Sequence, residues 1–501
     1  MAVVTSGRTE GIVGRLVRID VEMEQRGARA GLKIQGPQMS DAGRITETRV
    51  RVTSALGNYH RFGSYCVTVG YGHAAPTRDS ASFDLPIALG ILVAEGRIPA
   101  QALRDTLIIG ELALNGDVRH VRGVLAIVLA ARDAGMAGVF VPACNAREAL
   151  MVEGIEVFGI EHLAQVVDAL NGREPLPEPA LEAPPPPEDS GVDLADVRGQ
   201  KVARRALEIA AAGGHNIILN GPVGSGKTML ARRLPTILPE MTHREGVETA
   251  CVASVVGLLR EEQPLVARRP FRAPHHSASD VALAGGGPQS RPGEVSLAHN
   301  GVLFLDDLPE FRRSALETLR QPLEDGHVVV AGAQATTTWP ARFMLVASMS
   351  PCPCGHLGNP RWHCDCAASA KASYRRRIEP YLDMFDIRVT TARQSPNKPW
   401  RNAAQGESSE AVRARVTAAR AVQAVRFDAT RATCNAPTCN AQMGAKEFEA
   451  HCVLDDAGLA PGSSPRAHDR TLKVARTIAD MAGAERIDAA HLCEAAHLCV
   501  G

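Results

Sequence analysis

The sequence predicts an α/β protein built around a nucleotide-binding sheet, with a mixed domain ahead of it and a helical one behind. Three observations predict this. A short apolar strand runs into a glycine-rich loop and a helix near residues 216–231, and a second apolar strand ends in two carboxylates at 302–307. A proline-rich acidic stretch, Arg173 to Ser190, interrupts the chain ahead of both.

At 501 residues the chain exceeds what one hydrophobic core usually holds, so it divides. The stretch REPLPEPALEAPPPPEDS has almost no bulky apolar residues and reads as a linker. The predicted boundaries are an N-terminal domain 1–172, a linker 173–191, a nucleotide domain 192–393 and a helical domain 394–501. In the first domain, strand-like runs (Leu16 to Met23, Tyr65 to Val69, Thr106 to Ile109, Val139 to Pro142) mix with helix-like ones (Ile87 to Ala94, Val124 to Ala134), which predicts α+β or α/β. After the linker, Lys201 to Ala212 reads as a helix and Asn216 to Asn220 as a buried strand. Further strands are predicted at Val302 to Leu305 and Phe343 to Ala347. From Glu410 onward the pattern is helical.

Composition excludes more than it identifies. Basic and acidic residues balance at 55 each, so no global field draws the protein to nucleic acid or to an anionic membrane. Only seven residues are lysine, which makes a lysine inside a glycine loop stand out. The most apolar stretch, Leu85 to Ala94, is too short to cross a bilayer, and no basic segment followed by an apolar run opens the chain. A cytoplasmic protein that does not engage membranes is expected, with its 12 cysteines as reduced thiols or metal ligands rather than disulfides.

The loop Gly221-Pro222-Val223-Gly224-Ser225-Gly226-Lys227-Thr228 has the spacing G-x-x-x-x-G-K-[ST] between a predicted strand and helix. Its glycines let backbone N–H groups face a phosphate, Lys227 reaches the β/γ-oxygens of ATP, and the Thr228 hydroxyl ligates Mg²⁺. The strand ending in Asp306-Asp307 supplies the partner motif, with Asp306 on the Mg²⁺ shell and Asp307 placed to orient a water. A glycine turn or an acidic turn explains either motif alone; neither explains the pair. Cys352-x-Cys354 and Cys364-x-Cys366 bring four thiols close in sequence, which suits structural Zn²⁺, with free thiols as the alternative and His356 and His363 as substitute ligands. His275 and His276 are adjacent, which favours local structure or a ring contact over metal binding.

The surrounding residues carry a resemblance. RPFRAPHHSAS (269–279), RPGEVSLAHNGVLFLDDLPEF (291–311), LRQPLEDG (319–326) and PCPCG (351–355) resemble the ComM/YifB family of magnesium-chelatase-like AAA+ ATPases. FDLPIALGIL (83–92), GELALNGDVRHVRGVL (110–125) and RTLKVARTIAD (470–480) extend the resemblance to both ends. It implies a self-associated ring, a hexamer, with ATP between subunits and action on DNA of the branch-migration or helicase kind in recombination or transformation. It also implies an N-terminal domain with the fold of the Lon protease domain, shared with a small-subunit ribosomal protein, and a C-terminal helical lid. By motif position Gly199 and Gln200 would lie near the adenine, and Arg466 would be the lid arginine that senses the γ-phosphate.

Three positions depart from the family pattern. The family ends its acidic strand in Asp-Glu where this chain has Asp306-Asp307, and its sensor asparagine is replaced by Ser350. Its arginine finger falls at Met384 in LDMFD. Such a finger is worth roughly 10³ to 10⁵ in turnover; Arg375, Arg376, Arg377 and Arg388 are the nearby cations that could replace it. The predicted hairpin Val328 to Trp339 is also poor in basic residues, so any grip on DNA phosphates there would be weak. Slow hydrolysis, giving a nucleotide-gated scaffold or DNA-binding ring, therefore stands beside a working motor. A Lon-type serine protease is disfavoured, because Lys33 is the only lysine before the linker and 119–131 contains none to activate Ser80 or Ser82. A chelatase-type motor subunit would resemble only the part after the linker.

Overall fold

The computed structural model describes residues 1–25, 31–35, 42–57, 59, 65–71, 80–176, 191–259, 268–287, 290–332, 336–392, 406–428, 438–454 and 465–500. The proline-rich linker therefore lies, from 177 to 190, outside the described residues. The chain forms two compact units: residues 1–186 with 243–266, and residues 187–242 with 267–501.

The first unit is built on a mixed seven-stranded sheet, in the order Gly31–Gln35, Tyr65–Tyr71, Val13–Gln25, Ala2–Glu10, Thr106–Ile108, Gly138–Pro142, Glu156–Ile160. Val13–Gln25 pairs antiparallel with both its neighbours, while the last four strands in that order run parallel. The helix Asp84–Ala94 is apolar on every side, and it is buried throughout Asp84 to Leu92 because sheet and neighbouring helix enclose it. A second apolar cluster gathers around Val124–Asp133.

The segment 243–266 belongs to this unit although it lies in sequence inside the predicted nucleotide domain. Its helix His243–Val256 adds Ala250 and Cys251 to the second cluster. Its Ser254 hydroxyl donates to the buried Glu148 carboxylate at 2.7 Å, which Asn145 also contacts through its amide. Burial pushes the Glu148 carboxyl above its ordinary range, with the Ser254 and Asn145 bonds opposing.

The second unit carries a five-stranded, all-parallel sheet in the order Phe271–Arg272, Val302–Leu305, Met344–Met349, Ile217–Asn220, Ile387–Thr390. Its central strands IILN, VLFL and MLVASM are near-continuous apolar runs, as strands covered on both faces require. The hairpin His327–Ala331 and Thr336–Pro340 stands apart as its own antiparallel pair. Among the described residues, the C-terminal helices Ser409–Asp428, Ala445–His451, Pro465–Met481 and Ala489–Val500 complete the unit. Lys201–Gly213 packs against the first and third of these, so sheet and C-terminal helices share one core.

That core encloses a charged network. Asp480, with a fully buried side chain, accepts from Arg426 at 2.8 Å, Arg476 at 3.0 Å and Asn440 at 2.7 Å. Asp480→Ala would leave two guanidinium groups sharing no carboxylate, at a cost of about 3–5 kcal/mol. The expected result is a fall of that size in the unfolding free energy of this unit in urea; a change under about 1 kcal/mol would show the network is dispensable. Among the described residues no helix is long and apolar enough to cross a membrane.

Candidate functional site

The site forms outside the carboxyl ends of three parallel strands, the place where open α/β sheets offer a crevice. Gly221 follows the strand Ile217–Asn220 directly, and its N–H donates to Met349 of the adjacent strand at 3.1 Å. A Cβ at Gly221 would stand 2.2 Å from the Thr391 hydroxyl, so the loop passes there only as glycine. Gly224 and Gly226 take positive φ of 78° and 91°, which curls the backbone around the loop. The following helix, Lys227–Ala231, is short, so attraction for an anion rests on the loop and on Lys227 more than on a helix dipole.

The Lys227 ammonium donates to the Gly221 and Pro222 carbonyls at 2.7 and 3.2 Å. Burial lowers its pKa, and the Asp307 and Asp306 charges oppose that shift. The Thr228 hydroxyl donates to Asp306 at 3.1 Å. Ser348, wholly buried in the neighbouring strand, donates to Asp306 at 2.5 Å and accepts from the Asp307 N–H at 3.0 Å. It thereby fixes both carboxylate residues at once.

Asp307 holds φ 53° and ψ 59°, the left-handed region that a non-glycine residue enters at roughly 1–2 kcal/mol. Of the described non-glycine residues with positive φ, Asp307 is the one that lines the cavity. The cavity walls raise its pKa by burial and Asp306 raises it further, with Lys227 opposing. A carboxylate so shifted is a better proton acceptor than an ordinary one.

Lys227, Thr228, Asp306, Asp307 and Ser350 line one cavity of about 410 Å³ together with Val223 and Gly224. The Lys227 ammonium, the Thr228 and Ser350 hydroxyls and the Asp306 and Asp307 carboxylates, gathered at a curled glycine loop, make a donor set that fits a magnesium-bound triphosphate. Two further cavity residues, Glu310 and Tyr374, carry no signal in the sequence reading. Burial pushes the Tyr374 hydroxyl up to about 12, helped by Glu310 and Asp307.

Other expected residues lie elsewhere. Gln200, in the left-handed region beside Gly199, turns its amide to the Ser225 and Ala392 carbonyls at 3.0 and 2.7 Å, bracing the loop from outside. Arg466 is exposed on the first turn of Pro465–Met481 and does not line the cavity. One turn on, Arg470 pairs with Asp383 at 3.0 Å. Met384 is half-buried at the end of the segment Glu379–Met384, and its carbonyl accepts from Asn216 at 2.9 Å. Arg375, Arg376 and Arg377 are exposed on Ala368–Ile378. The His275 and His276 rings contact each other at 4.0 Å between centroids, and His276 meets Phe311 edge-on.

Cys352, Cys354, Cys364 and Cys366 come together, every sulfur within 4.8 Å of the others. Burial opposes ionisation of Cys352, but the Leu357 N–H and the neighbouring thiols outweigh it and pull the thiol down to about 7. Cys354 also lines the cavity.

Comparison with known proteins covers the same ground. The family described as "Subunit ChlI of Mg-chelatase" matches residues 21–145, "Magnesium chelatase, subunit ChlI" matches 193–398, and "Magnesium chelatase, subunit ChlI C-terminal" matches 406–498. Competence protein ComM of Haemophilus influenzae is 40% identical over 99% of this chain and 96% of its own length. The uncharacterized protein YifB of Escherichia coli is 39% identical over 90% of this chain and 88% of its own. By contrast, the magnesium-chelatase 67 kDa subunit of Chlorobaculum parvum, 31% identical, matches only 32% of this chain. With about 40% identity to ComM and YifB running through nearly the whole chain, and chelatase-type family models matching in both units, the chain belongs to the ComM/YifB family of magnesium-chelatase-like AAA+ proteins.

Proposed function

We propose that this protein binds ATP with Mg²⁺ in the cavity at Lys227, assembles into a hexameric ring in the cytoplasm, and works on DNA in recombination or transformation. The observation that carries the reading is the convergence of Lys227, Thr228, Asp306 and Asp307 on one cavity. The resemblance to a family with DNA-directed members, one relative of which is named a competence protein, supports the DNA assignment.

In this reading the curled glycine loop holds the phosphates and Lys227 faces their outer oxygens. Thr228 and Asp306, already hydrogen-bonded to each other, hold Mg²⁺, which when bound neutralises charge on the phosphates. Asp307 orients a water and accepts its proton, and Ser350 contacts the same space from the next strand. The C-terminal helices serve as the lid, and Arg466, which lies exposed and outside the cavity in this structure, would have to move toward it to act as the γ-phosphate sensor the resemblance implies; the N-terminal unit is a Lon-protease-like domain without proteolysis. The four clustered thiols hold a structural zinc.

A second reading, a ring that binds ATP and hydrolyses it slowly, is favoured by Met384 at the finger position and by the short carboxylate of Asp307. Steady-state ATP turnover with and without single-stranded and branched DNA separates the two. The motor reading expects about one turnover per second or more, stimulated by DNA. Tight ATP binding with turnover no faster than a Lys227→Ala control would leave only the gated ring.

A further inference from the structure

The cysteine cluster and the phosphate loop are adjoining parts of one wall. The loop that begins at Ser350 carries Pro353, Cys354 and Gly355 into the lining of the cavity that Lys227 and Thr228 also line. Its Gly355 carbonyl accepts from the N–H of Val223, a phosphate-loop residue, at 3.0 Å. Gly355 holds φ +73°, and a Cβ there would lie 2.5 Å from a Val223 methyl, so the two loops touch at backbone distance. The Gly355 N–H in turn donates to the Cys352 carbonyl at 2.9 Å, and the Leu357 N–H points at the Cys352 sulfur at 3.3 Å.

The sulfur positions suit a metal ion. Three Sγ to Sγ distances are 3.5, 3.7 and 3.6 Å, between Cys352 and Cys354, Cys354 and Cys364, and Cys364 and Cys352. A disulfide would need about 2.05 Å. Zn–S bonds of about 2.3 Å in a tetrahedron put the sulfurs about 3.8 Å apart. Cys352 is fully buried, while the second pair, Cys364 and Cys366, is half-buried and does not line the cavity.

We infer that a zinc ion held by Cys352, Cys354, Cys364 and Cys366 sets the position of Gly355 against Val223, so that nucleotide affinity depends on the metal. The inference rests on the readings of the cavity as a nucleotide site and of the thiols as a zinc site, and adds the coupling between them. Zinc draws the two cysteine pairs together and thereby fixes Gly355. Gly355 fixes the first turn of the phosphate loop. Without the metal, the four thiols lose their common partner and the Gly355 to Val223 bond keeps only the backbone turn onto Cys352 behind it. Loss or oxidation of the site then opens one wall of the cavity without touching Lys227, Thr228 or Asp306.

The experiment measures metal content and affinity for a fluorescent ATP analogue on the full chain purified under reducing conditions, beside the Cys364→Ser/Cys366→Ser double variant. The expected result is one zinc per chain in the wild type, none in the variant, unchanged far-UV circular dichroism, and a dissociation constant raised about tenfold or more. Wild-type protein that contains iron, or that neither contains nor takes up zinc, overturns the metal assignment. Failure of the zinc-loaded wild type to bind the analogue overturns the nucleotide site. Zinc lost with affinity changed less than about twofold overturns the coupling and leaves both underlying readings standing. If the double variant does not fold, zinc is extracted from the native wild type with a chelator and restored. Affinity must then fall and recover with the metal, and constant affinity through that cycle overturns the coupling equally.

Discussion

Replacement of Lys227 by alanine is expected to weaken ATP binding by about tenfold to a hundredfold and to lower turnover by a further two to three orders of magnitude. The first figure follows from losing a hydrogen bond to a charged partner in a buried place, about 1.5–3 kcal/mol. The second follows from removing fixed positive charge where negative charge develops during phosphoryl transfer, roughly 10² to 10³ in rate for one preorganised donor. The side chain is suited to this role, since the ammonium is buried, held by two loop carbonyls and stabilised in its charged form by Asp307 and Asp306. The local fold should survive, because Gly221 and Gln200 hold the loop through contacts that do not involve the lysine. Binding of a fluorescent ATP analogue and steady-state phosphate release measure the two effects. A variant that binds within about twofold of wild type would remove the cavity from consideration as the nucleotide site.

The second large effect is a gain. Met384→Arg is expected to raise turnover per subunit in the assembled ring by roughly 10³ if the slow reading holds, since that is the lower range for a finger supplied across an interface. The position tolerates the change. Met384 is half-buried at the end of a short turn, arginine is unbranched to the same depth and longer, so its guanidinium can extend past the methionine's reach, and the Met384 carbonyl is held by Asn216. Its neighbour Asp383 already takes Arg470 at 3.0 Å and Arg388 at 3.9 Å, which leaves net positive charge and discourages the new guanidinium from folding back onto it. Phosphate release measured above the assembly concentration reads the effect. An unchanged rate in a protein that already turns over about once per second would assign the finger to one of Arg375, Arg376, Arg377 or Arg388 instead.

The sequence exposes the elements whose patterns are locally complete. Val302–Leu305 is apolar throughout and closed by carboxylates, and its ends in the structure are those read from the sequence. The strand predicted at Phe343 to Ala347 runs Met344–Met349, and the helix predicted at Val124 to Ala134 runs Val124–Asp133. The strand Ala2–Glu10, VVTSGRT with polar residues on both faces, gives no such signal and forms because Val13–Gln25 pairs along its whole length. In the site, the residues found in sequence are those in contiguous motifs. Ser348 is invisible there because a serine in a strand resembles any small packing residue; its role appears only once Asp306 and Asp307 both lean on it. Tyr374 and Glu310 reach the cavity from segments whose placement depends on the fold, and no spacing rule connects them to Lys227. Gln200 is found by motif, but its two carbonyl partners are set by tertiary structure.

The segment 243–266 bears on how such a protein could have been inherited. The chain passes between its two units at 186/187, again at 242/243 and again at 266/267. A gene broken at the proline-rich stretch would encode one product lacking Ala250, Cys251 and the Ser254 hydroxyl that Glu148 accepts from. The other product would carry the helix His243–Val256 with its Ala250 and Cys251 uncovered. The N-terminal unit therefore cannot be exchanged or discarded as a cassette, despite the apparent seam, and the two units are expected to descend together as a single heritable module.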